Sequence, residues 1–175
     1  MPTLNKELKR GSRRKTLKVL TSPSVVTTNL VLHLDAGNTA SYPGSGSTWY
    51  DLSTGAHDCT LTNSPIYSSN NGGYLTFDGL DEYGTISNHA DFDFGTGDFT
   101  IEAWVYPISN GQNYPTFLAS VTGWSAGASG HRFNNVGYAN KFWFGLNGSA
   151  GISGGDPFMA STNTFSNQSW YHYSI

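Results

Sequence analysis

The acidic side chains have the greatest potential for chemistry in this sequence. Retaining hydrolysis of a glycosidic bond needs two carboxyl groups about 5–5.5 Å apart. On a β-strand this spacing means positions i and i+2 or i+4. Glu102 stands in the most strand-like segment, but positions 100, 104 and 106 hold Thr, Trp and Tyr. Asp91 and Asp93 have the spacing, yet they belong to a Gly-rich loop with two phenylalanines. We therefore predict that the protein is not an enzyme.

Nucleophilic catalysis and thiol chemistry are not indicated either. The histidines are scattered without a recognisable partner motif, at His33, His57, His89, His131 and His172. We interpret His33 and His172, which fall on predicted strands, as structural residues rather than bases. The single cysteine, Cys59, excludes an internal disulfide framework. Because no residue near it in the sequence would activate its thiol, we interpret it as structural.

Calcium is the one cofactor that the sequence suggests, because hard cations prefer oxygen ligands. The predicted ligand set lies in one turn and comprises Asp78, Asp81 and Glu82. An alternative set lies in the next loop and comprises Asp91, Asp93 and Asp98. Neither set has the spacing of an EF-hand, and a solvated acidic turn would have the same sequence.

Aromatic side chains near turns suggest a surface for sugars, because an aromatic ring offers an apolar face and polar neighbours bind hydroxyl groups. The predicted glycan-binding set lies near loops and comprises Trp49, Tyr50, Trp124 and Tyr138. By contrast, Trp104 and Trp143 occur on strong predicted strands, so we predict that both are core residues.

The basic residues are concentrated at the N-terminus. Seven of the nine fall within the first eighteen positions, at Lys6, Lys9, Arg10, Arg13, Arg14, Lys15 and Lys18. With one acid among them, residues 1–22 carry a net charge of +6; the remaining two basic and eleven acidic residues give −9.

This segment, residues 1–22, is predicted to be a flexible or partner-ordered arm, since it has little apolar content. We expect it to anchor the protein on an acidic protein surface. Nucleic acid is the less favoured partner, because the arm has no aromatic side chain to stack on bases. A tail that only improves solubility is a further alternative.

Composition and turn signals predict an all-β fold. Gly, Ser, Thr and Asn are abundant and only 12% of residues are charged, which suits short strands and turns rather than helices. The predicted strands and strand ends are 30–35, 49–52, 59–62, 74–78, 83–86, 99–106, 117–121, 132–136, 141–146 and 170–173. Segments 74–78 and 83–86 are predicted to form a hairpin, with Gly79 supplying a positive φ. Bulk on both faces of 99–106 predicts a central strand.

Four motifs occur in a fixed order along this β-rich part of the chain. They are Leu32 and Leu34 before Asp35, Phe77-Asp78-Gly79, the FTIEAWV segment at 99–105, and a Trp-x-His ending at His172. In this order they resemble the concanavalin A-like lectin/glucanase superfamily, and within it the laminin-G-like jelly-roll domains. The resemblance covers residues 30–175 and implies an antiparallel β-sandwich for residues 23–175. It also implies a cation site at the rim of the sandwich.

Two features of the sequence shape the expected function. Domains of this family continue past the Trp-x-His strand, so we expect the last strands to be missing here or supplied by a partner chain. The sequence has no apolar run long enough to span a membrane. Residues 19–32 are interrupted by Thr, Ser, Pro and Asn, and so they do not resemble the core of a secretory signal.

A lectin-like domain with a basic arm and no export signal is expected of a bacteriophage virion, which assembles in the host cytoplasm and is released by lysis. We therefore expect a non-enzymatic virion surface protein, a capsid decoration or a tail-fibre component, within an oligomeric assembly. Its partners would be other virion proteins and a host-surface glycan, or it would stabilise the particle. The alternative is a free, extracellular carbohydrate-binding or adhesion module of a larger bacterial protein.

Overall fold

The computed structural model describes residues 25–94, 97–108, 116–121, 130–136, 141–146 and 158–175. The chain divides into two units, Met1–Leu30 and Val31–Ile175. In the first unit, the Leu30 backbone N–H donates to the Thr27 carbonyl oxygen over 3.2 Å. The basic side chains of the predicted arm, from Lys6 to Lys18, lie outside the described residues.

The described part of the second unit is built from β-strands and contains no α-helix. The strands are β1 (Thr48–Trp49), β2 (Cys59–Thr62), β3 (Ile66–Ser68), β4 (Tyr74–Thr76), β5 (Tyr83–Ile86), β6 (Glu102–Val105), β7 (Thr116–Val121), β8 (Gly130–Val136), β9 (Lys141–Leu146), β10 (Phe158–Ala160) and β11 (Tyr171–Ser174). Two 3₁₀ turns, Asn70–Gly72 and Ala90–Phe92, stand between strands. In the described ranges no helix has the length and apolar character needed to cross a membrane.

The strands pair into small sheets, and each described pair is antiparallel. The strand orders are β1-β2-β5, β3-β4, β6-β11 and β7-β8-β9-β10. Backbone hydrogen bonds between Ile101 and Ile175, at 3.0 and 3.1 Å, extend the β6-β11 ladder by one further residue pair. These pairings confirm the predicted all-β, antiparallel fold.

Two of the sheets contact each other through aromatic side chains. Phe142 and Phe144 stand two residues apart on β9, point to the same face and are buried. The Phe142 ring lies 5.1 Å from the ring of Tyr173 on β11 and 4.8 Å from that of Phe165. The Phe144 ring lies 5.9 Å from that of Phe99, just before β6. The β7–β10 sheet therefore packs on the β6-β11 sheet, as the layers of a β-sandwich do.

A second cluster of buried residues surrounds β2. Tyr42, Cys59 and Leu61 form it, and Leu34 and Trp49 are among the half-buried residues packed against it. Burial raises the pKa of the Cys59 thiol above its ordinary value, against a smaller opposite effect of a hydrogen bond with the Thr85 backbone. Cys59 therefore has the structural position that its sequence context predicts.

The predicted strand at 30–35 is wrong, because this segment joins no ladder in the structure. A side chain satisfies part of its backbone instead: the His33 N–H donates to Asp51 Oδ1 over 2.8 Å. The His33 carbonyl oxygen accepts the Leu52 N–H over 2.9 Å. Residues 31–34 are half-buried alike, and the hydrogen bond with Leu52 is not continued into a ladder.

The predicted hairpin between 74–78 and 83–86 is also wrong. β4 pairs with β3, and β5 pairs with β2. The turn at Gly79 does have the predicted positive φ, of 76°. It connects two sheets rather than two strands of one sheet. Sequence periodicity did not predict β3 as a strand.

Candidate functional site: an aromatic platform and a histidine–carboxylate cluster

β6 and β11 present four aromatic side chains on one face. Trp104 stands opposite His172 in the ladder; its side chain is 67% exposed, and its ring lies 5.0 Å from the imidazole. Tyr106 and Trp170 directly adjoin the paired residues of the ladder, and their rings lie 5.3 Å apart. We call Trp104, Tyr106, Trp170 and His172 the aromatic platform. Along each strand, the residues of the two ring pairs stand two positions apart, and this corresponds to about 7 Å.

The prediction that Trp104 is a core residue is wrong. Strand alternation directs Ala103 and Val105 to the less exposed face of β6 and Trp104 to the exposed face. The space beneath is taken by Phe142 and Phe144 of the opposing sheet. The sequence places bulk on both faces of this strand, and only packing against another sheet decides which face is inner.

A cleft lined by both polar and apolar side chains lies beside the platform. It has a volume of about 360 Å³, and its wall includes His172 and Ser174 of β11. Its lining also includes Thr162 and Asn163, both of which are exposed. On the platform itself, His172 Nε2 lies 3.6 Å from Glu102 Oε2. Aromatic faces next to hydroxyl, amide and carboxylate groups are what recognition of a sugar requires.

The predicted glycan-binding residues are not brought together in the described part of the chain. Trp49 is half-buried against the β2 cluster, and its indole Nε1 is buried without a hydrogen-bond partner. Tyr50 is 44% exposed, and adjacent residues in extended backbone point to opposite sides. Trp124 and Tyr138 lie outside the described residues.

A further cleft of about 370 Å³ offers less aromatic surface than the platform. Tyr42, Tyr67 and residues 44–47 contribute to its wall. Tyr42 is 3% exposed, and its hydroxyl donates to the Gly46 carbonyl oxygen over 3.0 Å. Because its ring is covered and its polar tip is occupied, Tyr42 presents little to a ligand.

Two of the predicted calcium ligands hydrogen-bond to the backbone of their own turn. Asp78 Oδ1 accepts the Leu80 N–H over 2.8 Å, and Glu82 Oε2 accepts the Asp78 N–H over 2.7 Å. Asp81 accepts the side-chain amide of Asn63 with its backbone carbonyl oxygen, over 2.9 Å. These bonds explain the Asp78 and Glu82 side chains as groups that stabilise the turn. Calcium binding by Asp78, Asp81 and Glu82 stays a prediction.

A different set of ligand-type side chains converges at the end of the Ala90–Phe92 turn. His57, His89 and Asp91 each offer one ligand atom, and these atoms lie within 4.8 Å of one another. His57 Nε2 is 2.9 Å from Asp91 Oδ2, and His89 Nδ1 is 3.3 Å from Asp91 Oδ1. The His57 side chain is 10% exposed, whereas those of His89 and Asp91 are 54% and 44% exposed. The cluster is therefore buried on one side and open to solvent on the other.

The protonation of this cluster follows from its hydrogen bonds. The hydrogen bond with His57 is the main cause that holds the pKa of Asp91 below its ordinary value, and attraction by His89 acts in the same direction. His89 Nδ1 also accepts the Asp91 backbone N–H, over 3.2 Å. Nδ1 accepts this bond only while it carries no proton, and it donates to the Asp91 carboxylate only when it is protonated.

Asp51 holds the loop that carries His57. Its carboxylate accepts the backbone N–H groups of His33, Ser53 and His57 over 2.8–2.9 Å and the Ser53 hydroxyl over 2.6 Å. Burial is the largest single effect on the pKa of Asp51 and raises it, but the hydrogen bonds from Ser53, His33 and His57 together lower it below the ordinary value. The carboxylate thus stays charged where three stretches of backbone meet.

The sequence did not predict the aromatic platform or the cluster of His57, His89 and Asp91. The pair His89-x-Asp91 is a local signal that would have drawn attention to the turn. Its partner His57 is 34 residues from Asp91, and only folding brings the two together.

The architecture is that of a lectin-like module, a β-sandwich with an aromatic platform beside a cleft. Residues 77–175, more than half of the chain, match a laminin-G-type family model described as the concanavalin A-like lectin/glucanases superfamily. The protein belongs to this superfamily. Searches of curated proteins and of solved structures found no significant match.

The family defines the class of function more closely than the fold does. The superfamily includes glucanases, but its laminin-G-like domains are mostly binding modules. The protein is accordingly of the lectin-like, carbohydrate-binding or adhesion class. The matched residues include the whole platform, together with His89 and Asp91, whereas His57 precedes them.

Proposed function

We propose that the protein is a non-enzymatic, glycan-binding surface protein of a bacteriophage virion and that the aromatic platform is its glycan-binding surface. The observation that carries the proposal is the 67% exposure of Trp104, whose ring pairs with His172 in a domain of a lectin-like family. A large aromatic side chain left in water next to three other rings is typical of a binding surface.

The chemistry of the platform suits a sugar. Each ring offers a flat apolar face to the C–H face of a pyranose, although the planes within the two pairs are tilted by 35° and 52°. Glu102 at one side and Thr162 and Asn163 in the adjoining cleft provide acceptors and donors for hydroxyl groups. Because β6 and β11 are hydrogen-bonded strands rather than loops, the platform is held in position before a ligand arrives.

Binding rather than hydrolysis fits the surroundings of Glu102. Its neighbours on the same face of β6 and β11 are Trp104 and Ser174, and its carboxylate lies near His172. A retaining mechanism needs a second carboxyl group about 5–5.5 Å away, and neither neighbour supplies one.

The binding proposal is tested by titrating a panel of bacterial surface polysaccharides into the full-length protein, by calorimetry and tryptophan fluorescence. Trp104→Ala should weaken binding at least tenfold while the circular dichroism spectrum is unchanged. Tyr83→Ala is the matched control: Tyr83 is an aromatic residue on β5, is 54% exposed and lies outside the platform. It should bind as the wild type does.

Two results would redirect the binding proposal. If Tyr50→Ala abolished binding and Trp104→Ala left it intact, the loop-borne set that the sequence predicts would be the site. If neither variant changed the affinity for any bound glycan, the platform would not be a glycan-binding surface. Hydrolysis of the same polysaccharides that disappeared in Glu102→Gln would overturn the non-enzymatic assignment.

The virion assignment rests on the charge distribution along the sequence. Residues 1–22 carry a net charge of +6, which suits docking on an acidic protein surface of a particle. Mass spectrometry of purified particles should detect peptides of this protein, and deletion of residues 1–22 should remove it from them. Detection only among soluble proteins of the culture would favour the free module of a larger bacterial protein. Unchanged incorporation of the deletion variant would refute anchoring by the arm.

A further inference from the structure

We propose that His57, His89 and Asp91 bind a divalent transition-metal ion of the zinc class, with a fourth coordination position open to solvent. Nothing in the proposed glycan-binding function requires this site, and it is formed by other residues than the platform. It joins the loop before β2 to the Ala90–Phe92 turn, two segments that are distant in the sequence.

The distances suit one ion. A tetrahedral zinc ion with ligands at about 2.0–2.1 Å holds neighbouring ligand atoms about 3.3–3.5 Å apart. His57 Nε2 lies 2.9 Å from Asp91 Oδ2, a little closer than that spacing, and His89 Nδ1 lies 3.3 Å from the other carboxylate oxygen, Oδ1. All three ligand atoms lie within 4.8 Å of one another. An ion between them would replace the proton shared by His57 and Asp91 and the weak hydrogen bond that His89 Nδ1 accepts at 3.2 Å.

The ligand types select the metal. Two imidazole nitrogens and one carboxylate oxygen suit zinc and its neighbours in the first transition series, whereas calcium and magnesium prefer oxygen alone. Three protein ligands leave one position of a tetrahedral ion for water. The exposure of His89 and Asp91 places that position on the solvent side.

The surroundings hold His57 in place before any ion binds. Its backbone N–H donates to Asp51 Oδ2 over 2.9 Å, and its ring lies 4.9 Å from that of Phe92. Gly55 leaves the space that the imidazole occupies, because a Cβ at this position would lie 2.7 Å from His57 Nε2. A ligand that is 90% covered and fixed at its backbone loses little freedom when a metal binds, and this favours affinity.

The experiment uses the full-length protein without a histidine tag, dialysed against a chelator and then titrated with Zn²⁺ by calorimetry. We expect one equivalent to bind. Co²⁺ in place of Zn²⁺ should give the visible absorption of a tetrahedral site. Zn²⁺ at about 100 times its dissociation constant should raise the melting temperature by about 5–10 °C, because it binds the folded state and not the unfolded chain.

Two variants remove a ligand with little change in the fold. His89→Asn keeps a side chain that can cap the Ala90–Phe92 turn, and Asp91→Asn keeps an oxygen for His57. Each should weaken Zn²⁺ binding at least tenfold and, at the same Zn²⁺ concentration, reduce the rise in melting temperature to about half or less. His172→Asn is the control, since it alters a histidine paired with a carboxylate in the platform instead. It should bind Zn²⁺ as the wild type does.

The outcomes separate this proposal from the glycan-binding one. Absence of Zn²⁺ and Co²⁺ binding to the wild type, or unchanged binding by His89→Asn and Asp91→Asn, would overturn the metal site and leave the platform untouched. Loss of Zn²⁺ binding only in His172→Asn would move the site to the platform and would also overturn the proposal.

Discussion

The backbone N–H of His57 donates to Asp51 Oδ2 over 2.9 Å, and the same carboxylate binds the backbone of His33 over 2.8 Å. One half-buried charge therefore ties the segment before β1 to the loop that carries the His57 imidazole. This role explains why a carboxylate stands at a position where no strand ladder satisfies the backbone.

Asp51→Asn should lower the free energy of unfolding by about 1–3 kcal/mol. The asparagine amide places an NH₂ group, a donor, where the carboxylate has an acceptor oxygen. That NH₂ group would face the Ser53 hydroxyl or a backbone N–H, which are donors as well. Urea denaturation measures the change. Asp58→Asn is the matched control, since Asp58 accepts one backbone bond, from Asp51 over 2.9 Å, at an exposed position. Equal losses in the two variants would contradict the role of Asp51.

Substitutions on the buried and on the exposed side of the β6-β11 sheet should differ in their cost to the free energy of unfolding. Phe144→Ala removes a side chain that is 1% exposed and should cost about 3–5 kcal/mol. Trp104→Ala removes a larger ring, but one that is 67% exposed, and should cost less than about 1 kcal/mol. Chemical denaturation of each variant measures the change in the free energy of unfolding. A large loss in Trp104→Ala would mean that the platform is covered in the folded protein.

Gly37→Ala should cost about 1–3 kcal/mol or prevent folding, because a Cβ at this position would overlap the Gly72 carbonyl oxygen. The obstacle is backbone and cannot rotate away. Gly97→Ala serves as the control: among the residues that the structure describes, its Cβ would meet the Phe94 carbonyl oxygen alone, at an ordinary 3.5 Å. The control should stay within about 0.5 kcal/mol of the wild type in thermal denaturation. Similar melting temperatures of the two variants would refute the close approach.

Tyr173 should make the protein sensitive to alkali. Burial raises the pKa of its phenol above the ordinary value of 10.0. The folded state then holds this proton more tightly than the unfolded chain does, so its contribution is complete below pH 10.0 and is lost as the pH rises through the folded pKa. Tyr173→Phe should flatten the fall in stability above that pH. The same replacement at Tyr50, which is 44% exposed, should not.

Local chemistry explains how much of the fold could be predicted. The strands Cys59–Thr62, Tyr83–Ile86 and Lys141–Leu146 begin and end as predicted, because their apolar and β-branched residues favour extended backbone in any context. Ile66–Ser68 was missed, since three residues are too short to show alternation. Segment 30–35 shows the opposite error: it has alternation without a neighbouring strand.

The candidate sites depend more strongly on the tertiary structure. Trp104 and His172 are far apart in the chain and become neighbours only through the register of β6 and β11. His57 reaches Asp91 across 34 residues. No local pattern encodes such pairs, because the free energy that forms them comes from burial elsewhere, as in the packing of Phe142 on Tyr173.

By itself, the sequence determined the antiparallel β class, the family, the concentration of positive charge in residues 1–22 and the Gly79 turn. Each follows from residue type and short-range order. Only the tertiary structure decided that Trp104 faces water, that the hairpin partners are exchanged between sheets, and that two histidines meet one aspartate. The reason is physical: alternation defines two faces of a strand, and the inner one is whichever face another sheet covers.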